Sequence, residues 1–210
     1  MELTGIRVDK THLETMNREL SVMEANLTTE IYDLAGRGFN INSPKQLGEV
    51  LFNEMGLPAQ KKTKTGYSTD VEVLEQLAQD YPIAGKVLEY RSCSKLRSTY
   101  ALGLQALIGK DGKIHTTYEQ TVAATGRLSS IEPNLQNIPT REDMGRRLRE
   151  AFRPTEGNWL LAADYSQIEL RILAHISDDS TLKAAFANGD DIHAITASQV
   201  FGLPLELVSR

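Results

Sequence analysis

A long run of regularly spaced apolar residues near the start of the chain constrains the fold more than any other feature. In residues 9–34, apolar side chains recur at steps of three and four, which is the spacing of one face of an amphipathic helix. They are Leu13, Met16, Leu20, Met23, Leu27, Ile31 and Leu34. Thr11 and Glu14 predict a capping box at the start of this helix, and Gly36 predicts its end.

Three more helices are predicted before residue 110. Ser43 followed by Pro44 predicts the N-cap and the first residue of a helix that reaches about residue 55. Further helices are predicted to start at Thr69 and Pro82, and the second of these extends to about residue 108. Helices therefore dominate this part of the chain.

The chain changes character near residue 112. A turn at residues 110–113 leads into residues 113–120, where apolar and polar side chains alternate as in a strand. Residues 159–163, WLLAA, form a short apolar run that is typical of a buried strand. Helical patterns follow at residues 167–175, 181–187 and 192–201. Short strands with irregular connections thus follow the helical part.

The composition excludes several classes of protein. With 40% hydrophobic and 24% charged residues, the chain has the make-up of a folded globular protein and not of a disordered or collagen-like one. Cys93 is its single cysteine, so no internal disulfide is expected. No apolar run approaches the roughly 20 residues of a membrane span, and no signal-peptide pattern opens the chain. We therefore expect a cytoplasmic protein with no membrane partner.

The net charge of −5 conceals segments of opposite sign. Residues 1–33 hold seven acidic and three basic side chains, whereas residues 86–110 hold five basic side chains and one acidic. The five are Lys86, Arg91, Lys95, Arg97 and Lys110. A polar loop is predicted at residues 60–68, which adds Lys61, Lys62 and Lys64. These segments could bind a polyanion, although solvated helix faces and turns would show the same pattern.

The most informative local feature is a carboxylate, Asp164, at the end of the predicted strand 159–163 and directly before a predicted helix. A carboxylate held beside a backbone carbonyl suits a hard cation such as Mg²⁺, with waters and substrate phosphates in the remaining positions. A structural alternative stays open. Ser166 and Glu169 also form the pattern of a capping box, and Asp164 would then only help to start the helix.

Two neighbouring loops carry side chains suited to nucleic acid. They are residues 125–130, TGRLSS, and residues 133–139, PNLQNIP. Arg127, Asn134 and Gln136 carry planar groups with several donors, which suit the minor-groove edges of base pairs and phosphates. Ordinary turns, in which Asn and Gln bond their own backbone, are the alternative.

His193 lies near the predicted start of a helix, where a phosphate could approach. A lone histidine is also a common structural residue. No second Cys or His lies at metal-ligand spacing, which argues against a zinc site. The sequence contains no P-loop, G-x-G-x-x-G or G-x-S-x-G pattern, so the usual nucleotide-cradle and serine-hydrolase classes are excluded.

Together these segments resemble the polymerase domain of family A DNA polymerases, the bacterial DNA polymerase I type. Residues 164–171, DYSQIELR, resemble the first catalytic motif of that family, and the loops 125–130 and 133–139 resemble its primer–template binding stretch. Segments that resemble its thumb are residues 42–48, NSPKQLG, residues 61–68, KKTKTGYS, and residues 95–100, KLRSTY. The matches span the whole chain in the order of the family.

The resemblance implies a role for each matching residue. Asp164 and Glu169 are the implied catalytic residues. Asp164 is one of two carboxylates that bind a pair of Mg²⁺ ions, and the Tyr165 carbonyl is a further ligand. Residues implied to surround the incoming deoxynucleoside triphosphate are Ser166, Gln167, Ile168, Glu169 and His193, with Glu169 closing the sugar pocket against a 2′-hydroxyl. Residues implied to contact primer–template DNA are Lys95, Ser98, Thr99, Thr125, Arg127, Asn134, Gln136, Asn137 and Arg171.

The resemblance also implies an α+β fold and a monomer. We expect a helical thumb over residues 1–112, part of a palm with a small antiparallel sheet over residues 113–177, and the start of the fingers over residues 178–210. The sequence holds no His-Asp-Glu motif, which carries the second metal carboxylate in the family, and no fingers helix with its Arg, Lys and Tyr. We therefore expect a piece of a longer polymerase that is inactive alone. A DNA-binding fragment without catalysis and a poorly folded remnant are the alternatives.

Overall fold

The computed structural model describes residues 1–59, 62–63, 66–139 and 143–208. They fall into two compact units, Met1–Leu160 and Leu161–Arg210. Helices of the first unit are α1 (Lys10–Ala35), α2 (Pro44–Gly48), α3 (Val71–Leu77), α4 (Pro82–Lys95), α5 (Gly103–Ala106) and α6 (Asp143–Arg149). Its strands are β1 (Ile6–Val8), β2 (Lys62–Thr63), β3 (Gly66–Tyr67), β4 (Lys113–Ile114), β5 (Thr117–Glu119), β6 (Ser129–Ile131) and β7 (Phe152–Arg153).

Helix α1 confirms the predicted apolar face. Of the seven predicted apolar positions, five are buried, and Met23 and Leu34 are each 44% exposed. The predicted capping box is wrong, because the Asp9 carboxylate accepts a hydrogen bond from the His12 amide and starts the helix at Lys10. Gly36 ends it as predicted, in a left-handed conformation with φ 72°.

The core of the first unit lies where α1 packs along α4 and the segment that follows it. That segment, Leu96–Leu102, is a π-helix that joins α4 to α5, so residues 82–106 form one continuous helical stretch. A second π-helix, Glu49–Glu54, continues α2. Side chains with almost no exposed surface in this core include Leu13, Leu20, Ile83, Val87 and Leu104.

The starts of α2 and α3 are each set by the side chain that accepts a hydrogen bond from a free backbone amide of the first turn. Ser43 is the N-cap of α2 and Pro44 its first residue, as predicted. Helix α3 begins at Val71 and not at Thr69, because the Asp70 carboxylate accepts from the Val73 amide at 3.1 Å. A carboxylate in this position is a strong N-cap.

Small antiparallel sheets complete the first unit. Strand β1 pairs with β4 and β7, with Ile6 opposite Ile114 and Arg7 opposite Arg153. Strands β5 and β6 form a separate pair. The single strand predicted over residues 113–120 is therefore two strands, because its two parts pair with different neighbours.

The basic segment 60–68, predicted as a loop, contains a short antiparallel pair. Strand β2 pairs with β3, with Lys62 opposite Tyr67 and Thr63 opposite Gly66. Lys61 and Lys64 lie outside the described residues. Apolar and polar residues do not alternate in this segment, so the pairing could not be predicted from the sequence.

The second unit is helical. It contains α7 (Ile168–Ser177), α8 (Ser180–Asn188), α9 (Ile192–Phe201) and a 3₁₀ turn at Leu205–Leu207. The three predicted helices are thereby confirmed. The strand predicted over residues 159–163 is wrong, since none of the described strands pairs with it and Trp159 and Leu161 are each 93% exposed. An extended segment becomes a strand only where a neighbour accepts its backbone hydrogen bonds.

The fold is α+β, as predicted, with helices predominating over small antiparallel sheets. Within the described ranges, no helix is long and apolar enough to cross a membrane.

Candidate functional site

A buried pair of hydroxyls underlies the two polar loops. The Oγ1 atom of Thr116 lies 2.7 Å from Oγ of Ser130, and both side chains are buried. Thr116 Oγ1 also lies 2.8 Å from the Pro133 carbonyl, and Ser130 Oγ accepts from the Leu135 amide at 3.0 Å. The pair therefore links the end of the first loop to the beginning of the second, which holds both loops in fixed positions.

The polar side chains of these loops are exposed on that support. Thr125, Arg127, Asn134, Gln136 and Asn137 all have exposed side chains. Asn134 Oδ1 accepts from the Gln136 amide at 3.0 Å, and Gln136 Nε2 donates to the Leu128 carbonyl at 3.0 Å. Hydrogen bonds within the turn thus occupy Oδ1 of Asn134 and Nε2 of Gln136. No described residue accepts from Nδ2 of Asn134, so this group is available to a ligand.

Tyr100 connects the π-helix to the second loop, and no role was predicted for it. Its side chain is 5% exposed, and its hydroxyl donates to the Asn137 carbonyl at 2.5 Å. Exposed Lys95, Ser98 and Thr99 lie on the same helical stretch. A tyrosine within an apolar helix face was the available signal, because a buried phenol requires a partner.

Ion pairs occupy two of the five basic side chains of residues 86–110. Lys86 Nζ lies 3.0 Å from a Glu30 carboxylate oxygen, and Arg97 Nη1 lies 2.7 Å from that of Glu24. Both acids belong to α1, so these pairs tie α1 to α4 and to the π-helix. They are structural contacts, which neither the polyanion-binding interpretation nor that of solvated helix faces predicted.

Arg91 is also engaged inside the first unit. Its guanidinium donates to the carbonyl and the hydroxyl of Thr69, and burial lowers the pKa of Arg91. Lys95 and Lys110 are exposed and form no ion pair with any described residue. Fewer positive side chains of residues 86–110 are therefore available to a polyanion than the sequence predicted.

The predicted catalytic motif forms a turn that leads into α7. Asp164 and Tyr165 are exposed, and Gln167 adopts the left-handed conformation with φ 53° directly before the helix. The capping box predicted from Ser166 and Glu169 is wrong, since the N-cap is Gln167, whose side chain makes no capping hydrogen bond with the described residues. The left-handed residue changes the backbone direction between Ser166 and the helix. Glu169 lies in the first turn of α7.

The remaining predicted nucleotide contacts lie at helix starts. Ile168 is the first residue of α7, and exposed His193 lies in the first turn of α9. The Asp191 carboxylate caps α9 by accepting from the amides of His193 at 3.0 Å and Ala194 at 3.4 Å. A phosphate at His193 would therefore meet the imidazole more readily than these amides.

The donor set at the turn fits a magnesium ion. Asp164 supplies a carboxylate and Tyr165 a backbone carbonyl, and both are hard oxygen ligands at consecutive residues. Mg²⁺ typically takes one or two carboxylates and fills its other positions with water and substrate phosphates. In the part of the chain that the structure describes, no group of three or more His, Cys, Asp or Glu forms a protein-only cage.

The sequence of nearly the whole chain agrees with one family. Residues 10–210 match the family model of DNA polymerase family A, and the chain belongs to that family. The predicted resemblance is thereby confirmed.

Individual relatives are bacterial. The chain is 58% identical over 203 residues to DNA polymerase I of Lactococcus lactis subsp. cremoris (strain MG1363), covering 97% of this chain and 23% of that protein. It is 53% identical over 211 residues to DNA polymerase I of Geobacillus stearothermophilus, covering 100% of this chain and 24% of that protein. The chain thus spans about a quarter of the length of these curated relatives.

A solved structure agrees with the fold. The POL domain of Pol1 from M. smegmatis, in complex with DNA primer-template and dNTP, matches with a TM-score of 0.89 and 45% sequence identity. The match covers 98% of this chain and 37% of that one.

Proposed function

We propose that this chain is part of a template-directed DNA polymerase, which adds deoxynucleotides to a primer 3′-hydroxyl and releases pyrophosphate. The observation that carries this proposal is the match of 98% of the chain to a polymerase domain solved with DNA primer-template and dNTP. Residues 1–112 would form the thumb, residues 113–177 part of the palm, and residues 178–210 the start of the fingers.

In this proposal the first unit holds the DNA. Lys95, Ser98 and Thr99 contact backbone phosphates, and Arg127 holds the primer end through the minor groove. Thr125, Asn134, Gln136 and Asn137 complete the contacts. The exposure of these side chains and the buried support beneath the loops favour this assignment. Phosphate contacts fix the position of the duplex, and minor-groove contacts read its shape and hydrogen-bonding edges.

The turn before α7 supplies the chemistry. Asp164 and the Tyr165 carbonyl would hold Mg²⁺, and Ser166, Gln167, Ile168 and His193 would contact the nucleotide. When two such ions are bound, they activate the primer hydroxyl and stabilise the charge of the leaving pyrophosphate. Glu169, in the first turn of α7, would close the sugar pocket and exclude a 2′-hydroxyl. For Arg171, the implied contact with DNA is supported by the resemblance alone.

A second candidate concerns these 210 residues by themselves. The sequence contains no His-Asp-Glu motif to supply a second metal carboxylate. We propose that the chain alone binds primer–template DNA without extending the primer. This is the DNA-binding alternative, and it is compatible with a polymerase function of a longer protein.

Fluorescence anisotropy with a labelled primer–template duplex tests DNA binding. Lys95→Ala should weaken binding to all sequences and reduce the slope of log affinity against log salt by about one. Lys10→Ala removes the same charge from an exposed residue of α1 that is assigned no DNA contact, and it should leave affinity and slope unchanged. Equal effects of the two substitutions would contradict a thumb contact at Lys95.

A primer-extension assay with Mg²⁺ tests whether the 210-residue chain extends a primer by itself. We expect no extension by the 210-residue chain. Incorporation that disappears in Asp164→Ala would show instead that this chain is a polymerase by itself. Failure to bind the duplex at low salt, together with a molten near-UV spectrum, would favour the poorly folded remnant.

A further inference from the structure

Arg171 forms hydrogen bonds to the turn before α7 through both its backbone amide and its side chain. Its backbone amide donates to the Gln167 carbonyl at 3.0 Å, and its side-chain Nε donates to the Ser166 carbonyl at 2.9 Å. The guanidinium also lies over the ring of Phe186 in α8, with Cζ 4.5 Å from the ring centroid. One side chain therefore joins the turn, α7 and α8.

The turn depends on contacts of this kind. Gln167 has φ 53° and ψ 41°, a left-handed conformation that side chains other than glycine rarely adopt. Such a conformation persists only where the surroundings determine it. The Gln167 side chain itself makes no capping hydrogen bond with the described part of α7. Arg171 bonds the carbonyl of Ser166, which precedes the left-handed residue, and the carbonyl of Gln167 itself. These two hydrogen bonds fix the orientation of the backbone at Gln167.

From this geometry we propose that Arg171 is a positioning residue, which holds the turn so that Asp164 and Tyr165 present their oxygens to the metal. The inference rests on the proposed function for the role of the metal, but the contacts themselves do not. Arg171 would then act through the turn, and not by contacting DNA as the resemblance implied.

The shape of the guanidinium matters more than its charge in this arrangement. A planar guanidinium can stack on the Phe186 ring while its Nε points along the plane toward the Ser166 carbonyl. Within the described residues, Arg171 forms no ion pair, so no carboxylate is neutralised by it. Lysine keeps the charge but lacks the plane and the Nε donor. A DNA-phosphate contact would tolerate lysine, whereas a positioning contact would not.

The test uses four variants of the 210-residue chain followed by ¹⁵N NMR. Arg171→Lys, Arg171→Gln and Phe186→Leu each remove part of the contact. Lys183→Gln removes an exposed cation of α8 that is paired with Asp178, and it is the control. We expect the Arg171 Nε–H resonance to be shifted upfield by the ring current of Phe186, and to lose that shift in Phe186→Leu. The amides of residues 164–168 should move in the three variants and not in the control.

Mn²⁺ alone is the probe of the metal site, read from paramagnetic broadening of the Asp164 and Tyr165 amides. Both Arg171 variants should weaken Mn²⁺ binding about tenfold, as loss of an outer-shell partner commonly does. Duplex affinity should fall less than twofold in Arg171→Lys. Native amide shifts and Mn²⁺ binding in Arg171→Lys, with duplex affinity lost only in Arg171→Gln, would overturn the proposal in favour of a DNA contact.

The same spectra separate a failure of this inference from a failure of the proposed function. If the native chain does not bind Mn²⁺ at Asp164, the proposed metal role fails. The amide shifts of residues 164–168 then still show whether Arg171 fixes the turn. Unchanged shifts in all three variants would show that it does not.

Discussion

The phenol of Tyr100 donates a hydrogen bond of 2.5 Å to the backbone carbonyl of Asn137. Tyr100 lies in the π-helix that also carries exposed Ser98 and Thr99, and Asn137 lies in the loop 133–139. Two segments that are far apart in the sequence, and that we propose as DNA contacts, are therefore joined directly.

Tyr100→Phe should weaken this joint without changing the charge of the surface. Loss of one hydrogen bond is expected to lower the free energy of unfolding by about 1 kcal/mol, measured by urea denaturation. Duplex affinity should fall while its salt dependence stays the same, because no cation is removed. Tyr118→Phe, on strand β5, is the control and should change neither quantity. A changed salt slope in Tyr100→Phe would contradict this interpretation.

Ser130→Ala should destabilise the support beneath the loops. Ser130 is fully buried, and its loss leaves the Leu135 amide without its acceptor, whereas the Thr116 hydroxyl keeps the Pro133 carbonyl at 2.8 Å. The expected cost is about 1–3 kcal/mol in the free energy of unfolding. The neighbouring Ser129→Ala should cost less than about 0.5 kcal/mol. Equal costs would show that the buried hydroxyl pair does not hold the loops.

His115 should make stability depend on pH. Its Nδ1 lies 2.7 Å from the Glu2 carbonyl and its Nε2 lies 3.0 Å from an Asp111 carboxylate oxygen. Both partners are acceptors, so both nitrogens must carry protons for both bonds to form. The Glu2 carbonyl and then Asp111 raise the pKa of His115 above 6.5, and the hydrogen bond from His115 lowers the pKa of Asp111 below 3.8.

The sign of the pH dependence follows from these two shifts. The contribution of His115 is complete below pH 6.5 and is lost as the pH rises through its raised pKa. The contribution of Asp111 is complete above pH 3.8 and is lost as the pH falls through its lowered pKa. An NMR titration should place the midpoint of His115 above 6.5, and His115→Gln should remove the loss of stability on the alkaline side. A midpoint below that value would refute the doubly bonded imidazolium.

Gly5→Ala should cost more stability than Gly36→Ala. Both glycines have positive φ, +60° and +72°, so both substitutions strain the backbone by about 1–2 kcal/mol. At Gly36 the new Cβ would meet no atom of the described residues within 4 Å. At Gly5 it would lie 2.6 Å from His115 Cε1 and 2.9 Å from the Ile114 carbonyl oxygen. Urea denaturation of the two variants measures the difference, and equal midpoints would show that the N-terminal segment shifts freely away from β4.

Long amphipathic helices were predictable from the sequence, and their exact starts were less so. The period of α1 is set by its own apolar side chains, so local sequence suffices. Its start depends on whether Asp9 or Thr11 accepts a hydrogen bond from a free backbone amide. The Asp9 carboxylate, which is the stronger N-cap, does so. The strand predicted at residues 159–163 required a partner strand, which a local pattern does not specify.

The candidate site was located by its motifs, but its supporting contacts were not. Arg97 pairs with Glu24, which lies 73 residues earlier, and no local pattern indicates which cations are engaged in this way. The same holds for Arg171, whose partner Phe186 lies on the next helix. The sequence thus identifies residues of suitable chemistry, and the tertiary structure determines which of them are available to a ligand.

The π-helix at Leu96–Leu102 has a consequence for how this region tolerates change in length. Its Gly103 amide bonds the Ser98 carbonyl five residues earlier, so each turn there holds more residues than an α-turn. The side-chain positions of α5 are therefore rotated about the helix axis relative to where a continuous α-helix from α4 would place them, although the helical rod is unbroken. Adding or removing a residue in this segment would rotate one end of the rod about its axis and leave the rod unbroken.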